Sequence, residues 1–516
     1  MKLMNFARRL CRMDALVVGA AASLVAVAMV ACDGSRAVSP SGTKTDSTPS
    51  SYRIRLSPAS IELIAPPGTP TSITVTASVL KGNDTTAVPD AQVTWAIDAP
   101  SVATVTTAGT VTAVAPGTTT LHARYSGVEV SAAVTVAAAP IVPGVAFVPT
   151  GSMTRARVGH TATLLANGKV LIAGGGAATA ELYDPATGTF ALTGSMSVSR
   201  SLHSATLLPD GRVLVAGGYS GDPFSGSGAA KLETAEVYDP ATGSFTRTAD
   251  MLEAQSGQTG TLLANGKILL TGGFGSCCDS LPKPELYDPA TGTFAATGAY
   301  VPYSGLPDYA QTVGLANSTA TLLRDGRVLV AAEPAAQLYD PATGTFTLTG
   351  QMRSGGSVIP PYITGRTATL LENGRVFFAG GENEDIGRFE STELFDATSG
   401  TFAFGPGMAV VRDGHTATLL SDGKVLVVGG ESTIGCDSPS TCEIVSTASA
   451  ELYDPGSGTL ASAGSMSERR ELHRATLLND GRVLVTGGLT FIGGPIHFGG
   501  GVSVTPLATA ELYAPR

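Results

Sequence analysis

Four of the six histidines in this 516-residue chain stand three residues after an arginine: Arg157/His160, Arg200/His203, Arg412/His415 and Arg470/His473. An imidazole beside a guanidinium is a candidate proton-transfer or metal-ligating pair. Each pair, however, opens the same segment, of which HTATLLANGKVLIAGG (His160–Gly175) is the first copy. A reaction centre needs its residues once, so a fourfold pair reads as structural. The expected partner is a glutamate that also repeats, at Glu181, Glu236, Glu451 and Glu511; Arg366 takes the histidine's place in the fifth copy. No G-x-S-x-G nucleophile elbow and no H-E-x-x-H zinc motif occurs. The glycine-rich FGGGVS (Phe498–Ser503) does not lead from a strand into a helix, so it is no nucleotide cradle. Cys436 and Cys442 enclose five residues and are expected to close a small disulfide loop. The adjacent pair Cys277–Cys278 is a poorer disulfide candidate, because neighbouring Cα atoms lie at about 3.8 Å, below the usual span.

The elements that position these residues follow from the copying. Seven segments carry an Asn-Gly or Asp-Gly pair between apolar runs, with glycines at 168, 211, 266, 326, 374, 423 and 481. Such pairs predict tight two-residue hairpins of type I′. A second motif follows each hairpin, first as AELYDPATGTF (Ala180–Phe190), and reads as strand, turn and strand. Each unit therefore holds four strands, with a period near 50 residues. The seventh unit stops at AELYAPR (Ala510–Arg516), after its third strand. AFVPTGSM (Ala146–Met153) resembles the fourth-strand segment TFALTGSM (Thr189–Met196) and is expected to complete it, removing the open edges of a ring.

The Gly-Gly doublet, the aromatic-Asp that ends the third strand and the aromatic that opens the fourth resemble the kelch repeat. The resemblance implies a seven-bladed β-propeller, all-β, spanning residues 146–516. On one face its turns are uniform. On the other they vary, and that face gathers aromatics no repeat explains: Tyr219, Tyr300, Tyr303, Tyr309, Tyr362, Phe491, His497 and Phe498. Loops on a rigid scaffold commonly carry function, so these are the candidate ligand residues. Glu382–Gly387 (ENEDIG) could offer oxygens to calcium, although it lacks an EF-hand pattern. Beyond that no cofactor is expected.

RSLHSATLLPDGRVLVAGG (Arg200–Gly218) is also similar to the blade segment of the galactose oxidase family. There a Tyr-His pair supplies two copper ligands. In this chain the residue before the histidine is Gly159, Leu202, Gly414 or Leu472. No metal site is therefore expected, and a sugar-acting propeller enzyme is the alternative to a binding protein.

The N-terminus frames the rest. Lys2, Arg8, Arg9 and Arg12 precede an uncharged, mostly apolar run, Ala15–Ala31, which is short for a membrane span. It ends in MVAC (Met29–Cys32), which resembles the bacterial lipobox and implies a signal peptide over 1–31 and lipidation at Cys32. Residues 32–50 are Ser/Thr/Pro-rich and read as a tether. Residues 51–137 hold short alternating strands punctuated by turns, the pattern of a small β-sandwich. Trp95, SVATV (Ser101–Val105), GTV (Gly109–Val111) and APG (Ala115–Gly117) resemble the bacterial Ig-like domain, group 2, a spacer or adhesive module. Residues 138–145 form a linker. The chain is acidic, at net charge −10, which disfavours nucleic acid as a partner. The expectation is an exported monomer, anchored by lipid and facing the periplasm or the cell surface. Its propeller recognises a carbohydrate or protein without catalysis; a purely structural spacer is the third reading.

Overall fold

The structure, a computed structural model, describes residues 52–64, 72–82, 86–88, 92–114, 117–137, 146–221, 229–275, 281–302, 315, 318–332, 335–352, 363–383, 387–388, 390–434, 443–492 and 503–515. The expected signal, the tether and all of Cys32, Cys277, Cys278, Cys436, Cys442, Tyr303, Tyr309, Tyr362, His497 and Phe498 lie outside the described residues. Contacts divide the chain into two compact units, with a boundary after Ala137. Every described element is a strand.

The smaller unit is a set of three sheets. Ser60–Ile64, Val128–Ala137, Gly117–Tyr125 and Thr94–Ile97 form the largest. Ser72–Thr74, Thr110–Ala113 and Ala103–Val105 form the second, and Tyr52–Ser57 pairs with Thr76–Lys81. Period-two alternation along Gly117–Tyr125 buries Thr119, Leu121 and Ala123 and leaves the intervening side chains outward. Leu121 meets Ile61, Val75, Val111 and Val134 in one core, and Trp95 packs against it. Gly109 sits at φ +78, where a Cβ would come within 2.9 Å of the Trp95 ring. That closeness explains why a glycine opens the GTV turn.

The larger unit holds seven four-stranded antiparallel sheets, one per repeat, numbered here in chain order. Second strands such as Val170–Gly174 and Val425–Val428 are buried at every position. A strand covered on both faces keeps no polar side, so these read as continuous apolar runs. First strands contact one another in sequence around a ring, and the contact between Arg474–Leu477 and His160–Leu164 joins the last sheet to the first. The seventh sheet takes its fourth strand from Phe147–Pro149, which pairs with Ala510–Tyr513 in the register Phe147↔Tyr513. The two rings tilt against each other at 5.1 Å.

The repeated turns differ from the type I′ expectation. Only the glycine of each Asn/Asp-Gly pair has positive φ, for example Gly168 at +81. Gly168 N–H donates to Leu165 O and Leu165 N–H to Lys169 O, so the loop holds three residues: a type I turn followed by a left-handed glycine. The Asn167 carboxamide explains the choice, since its Oδ1 accepts the Lys169 N–H at 3.1 Å.

One feature of the fold was not expected from the repeats. Glu431–Ile434 and Glu443–Ser446, between strands two and three of the sixth repeat, form a hairpin. Leu489–Ile492 and Ser503–Pro506 do the same in the seventh. The two hairpins join through Val445↔Ile492 into an additional four-stranded sheet.

Candidate functional site

Where the ring interior meets the variable face, the R-x-x-H residues form a lattice. Arg157 is fully buried. Its Nη1 donates to Gly174 O and Thr179 O, and its Nη2 to Thr179 Oγ1 and to Glu181 Oε1 at 2.7 Å. The other oxygen, Glu181 Oε2, accepts the Thr154 N–H. The same arrangement recurs at Arg200/Glu236, Arg412/Glu451 and Arg470/Glu511, each with an N···O distance of 3.0 Å. Burial lowers the pKa of all four guanidinium groups, and the glutamate opposes it. Arg366, displaced by three residues, still reaches Glu393 at 3.0 Å.

Two repeats lack the arginine, and only one of them also gives up the glutamate. In the third repeat Gln255 replaces the arginine, and its Nε2 reaches Glu285 Oε1 at only 3.3 Å. Burial then pushes the Glu285 carboxyl pKa up, while the backbone N–H groups of Leu252 and Glu253 oppose it. In the fourth repeat Leu315 stands at the arginine position and the glutamate becomes Gln337, whose Oε1 accepts the Val301 N–H at 2.9 Å. An amide fills the acceptor role where no cation is available. Gln255→Arg is therefore expected to raise the melting temperature, most at neutral pH. A raised native pKa makes Glu285 costly as pH climbs through it, whereas below about 4.3 the group is neutral in both states. Equal melting temperatures of Q255R and the native chain at pH 7 and pH 4 would refute this account.

The histidines do not pair with the glutamates. His203 Nε2 meets Thr161 Oγ1, His415 meets Thr367 and His473 meets Thr416, at 2.9 to 3.0 Å, each on the preceding sheet. The Gly-Gly doublet makes room for this. The first glycine faces the next sheet's histidine, as Gly429 does His473, and the second donates its N–H to the next arginine's carbonyl, as Gly430 does to Arg470 O at 2.9 Å. Each repeat thereby stitches its neighbour. Burial, helped by the adjacent arginine, brings the His203 and His415 pKa values down to about 3. As pH falls from about 6.5 towards 3, the unfolded chain takes up protons that these native rings refuse, so stability should drop across that window. His415→Gln, which copies Gln258 of the third repeat, should flatten the decline measured by urea unfolding from pH 6.5 to 4. An unchanged slope would remove the assignment.

The described candidate ligand residues are spread rather than gathered. Tyr219 bridges to Ser201 and Lys231 in the second repeat, with the Lys231 ammonium 5.9 Å from its ring centroid. Tyr300 is partly buried against Phe346, and its hydroxyl accepts the Gly272 N–H at 2.8 Å. Burial raises its pKa, so its polar end belongs to the seam between the third and fourth sheets. Phe491 lies in the additional sheet, half-buried, with its N–H bonded to Ser446 Oγ. Glu382 and Asn383 of ENEDIG form a short strand against Ile363–Thr364.

Sheets stacked about a ring, with a strand from the start of the unit completing the last one, define a β-propeller. Family comparison agrees in kind: residues 69–136 match the bacterial Ig-like domain (group 2), and residues 200–252 match the Kelch motif. No curated protein matches the chain in sequence. Among solved structures it is similar to a fungal alcohol oxidase of the AA5 family in complex with copper, at TM-score 0.53 and 18% identity, covering 72% of this chain and 76% of that one. At that identity the likeness establishes the fold alone.

The residues here do not fit a copper centre of the Tyr-His kind. The position before each histidine lies at positive φ: Gly159 at +68, Gly414 at +63, Leu202 at +54 and Leu472 at +53. The Leu202 side chain lies over Gly159 and that of Leu472 over Gly414. Each neighbouring imidazole has its Nε2 within hydrogen-bond distance of a threonine hydroxyl. Among the described residues, no group of three or more His, Cys, Asp or Glu could hold a metal.

Proposed function

We propose that this chain is a lipid-anchored protein of the cell envelope that recognises a carbohydrate or a protein, without catalysis, through the variable-loop face of its propeller. The observation that supports this most directly is the division of labour between residues. The repeated arginines and glutamates pair within their own repeats and the histidines bond the preceding sheet, while the sixth and seventh repeats use extra chain on a sheet that no blade requires. Rigid scaffolds with elaborated loops are the usual carriers of recognition. An apolar run ending in MVAC supports export and lipidation at Cys32. The Ig-like unit is read as a spacer.

A glycan array probed with the purified protein, with and without calcium, tests the reading. Binding that is lost in Phe491→Ala but not in a fourth-strand variant such as Leu192→Ala supports it. A blank array moves the test to capture of envelope proteins, and two blank results from folded protein overturn recognition in favour of a spacer.

A further inference from the structure

Six of the seven first strands place a hydroxyl directly after the histidine position: Thr161, Ser204, Thr259, Thr319, Thr367 and Thr416. The seventh places Arg474 there. The substitution rearranges the seam. Arg474 Nε–H donates to His160 O at 2.9 Å, Nη1 reaches His473 O at 3.5 Å, and His160 Nε2 turns instead to Thr486 Oγ1 at 3.0 Å. Arg157, Arg200, Arg366, Arg412 and Arg470 each hold a glutamate. Arg474 holds no carboxylate among the described residues. Burial lowers its pKa and no acid opposes the shift. Its contacts with His160 O and His473 O set the guanidinium between the first strands of the seventh and first sheets, on the inner side of the ring, and its charge also depresses His160, His473 and His203.

We propose that Arg474 anchors an anion site in the ring interior, taking one oxyanion: a small free ion, or the carboxylate or sulfate of an acidic sugar. Arg474 is half-buried rather than enclosed, so its guanidinium keeps a face open towards the ring interior, where a cation with no counter-charge beside it favours an anion. A guanidinium presents a flat fork of donors that matches carboxylate or sulfate. With only two carbonyl contacts, one of them long, Arg474 keeps its Nη2 without a partner among the described residues. The anion site stands without the recognition reading. Only its acidic-sugar form rests on that reading.

The test is calorimetric titration of the purified protein with sodium sulfate, sodium acetate and trigalacturonate in low-salt buffer. Arg474→Thr restores the residue that five other repeats carry, so it is expected to fold, and to melt higher than the native chain when no anion is added. Saturable one-to-one binding by the native protein, at least tenfold weaker in R474T and partly kept in Arg474→Lys, supports the site. Sulfate binding as tightly as trigalacturonate identifies a free ion; a clear preference for trigalacturonate identifies the acidic group of a sugar. Undiminished binding in R474T, or no saturable binding of any probe by the native protein, overturns the proposal. A blank glycan array beside intact sulfate binding would sink recognition and leave this site standing.

Discussion

Arg412→Met will lower the stability of the propeller by about 3–5 kcal/mol in urea unfolding, the range for stripping one partner from a buried ion pair. Arg412 is fully buried and donates to Gly429 O, Ser449 O, Ser449 Oγ and Glu451 Oε1. Its removal leaves the Glu451 carboxylate enclosed with only the Ala409 N–H, at 2.8 Å, among its present partners. The charge, more than the lost hydrogen bonds, carries the penalty. The double variant R412M/E451Q should recover most of the loss, because the chain already contains a neutral version of this seam: Leu315 with Gln337. A loss below about 1 kcal/mol, or a double variant no better than the single one, would show that the pair is incidental.

Gly429→Ala should be nearly as damaging, at about 2–5 kcal/mol. A left-handed alanine costs about 1–2 kcal/mol, and overpacking adds about 1–3. Gly429 lies at φ +62, and its Cβ would come within 2.6 Å of Arg470 O and 2.7 Å of His473 Cε1. The carbonyl cannot yield, since Gly430 N–H bonds it. The fourth repeat offers a control: Ala332 stands at the equivalent position, and the next repeat has Arg366 in place of the histidine. Combining G429A with His473→Ala should therefore recover the part of the loss due to the ring and none of that due to backbone φ. Additive losses in thermal unfolding would show that glycine and histidine do not share a seam.

These two seams show what was legible in the sequence. The four-stranded unit, the closing strand and the Arg–Glu partnership could all be read from repetition, because a residue that returns every 50 positions must meet the same neighbour each time. The histidine's partner could not. Thr161 is adjacent to His160 in sequence yet bonds His203, and only the stacking of one sheet on the next decides that. Turn type departs from the sequence expectation for a similar reason. Asn-Gly favours positive φ at both residues, but the Asn167 side chain bonds forward to Lys169 and holds its own backbone at negative φ. Tyr300 looked like a loop aromatic because nothing in the repeat calls for it, whereas its hydroxyl serves the Gly272 amide. Arg474 is hidden in the sequence because it sits inside a motif that otherwise reads as structural. A break in the pattern, rather than the pattern itself, was the available signal.

The pairing of Phe147–Pro149 with Ala510–Tyr513 has a consequence for how the chain comes into being. The strand that completes the seventh sheet is made first among the propeller's strands, and its partner last. A growing chain cannot fasten this clasp until residue 513 has emerged, whatever order the intervening sheets take. Until then two sheet edges stay open to other chains. Deleting Ala510–Tyr513 removes few residues yet takes the shared partner from both Phe147–Pro149 and Val483–Thr486, whereas a cut at the tip of a hairpin loop such as Asn265–Gly266 divides the chain and spares the clasp.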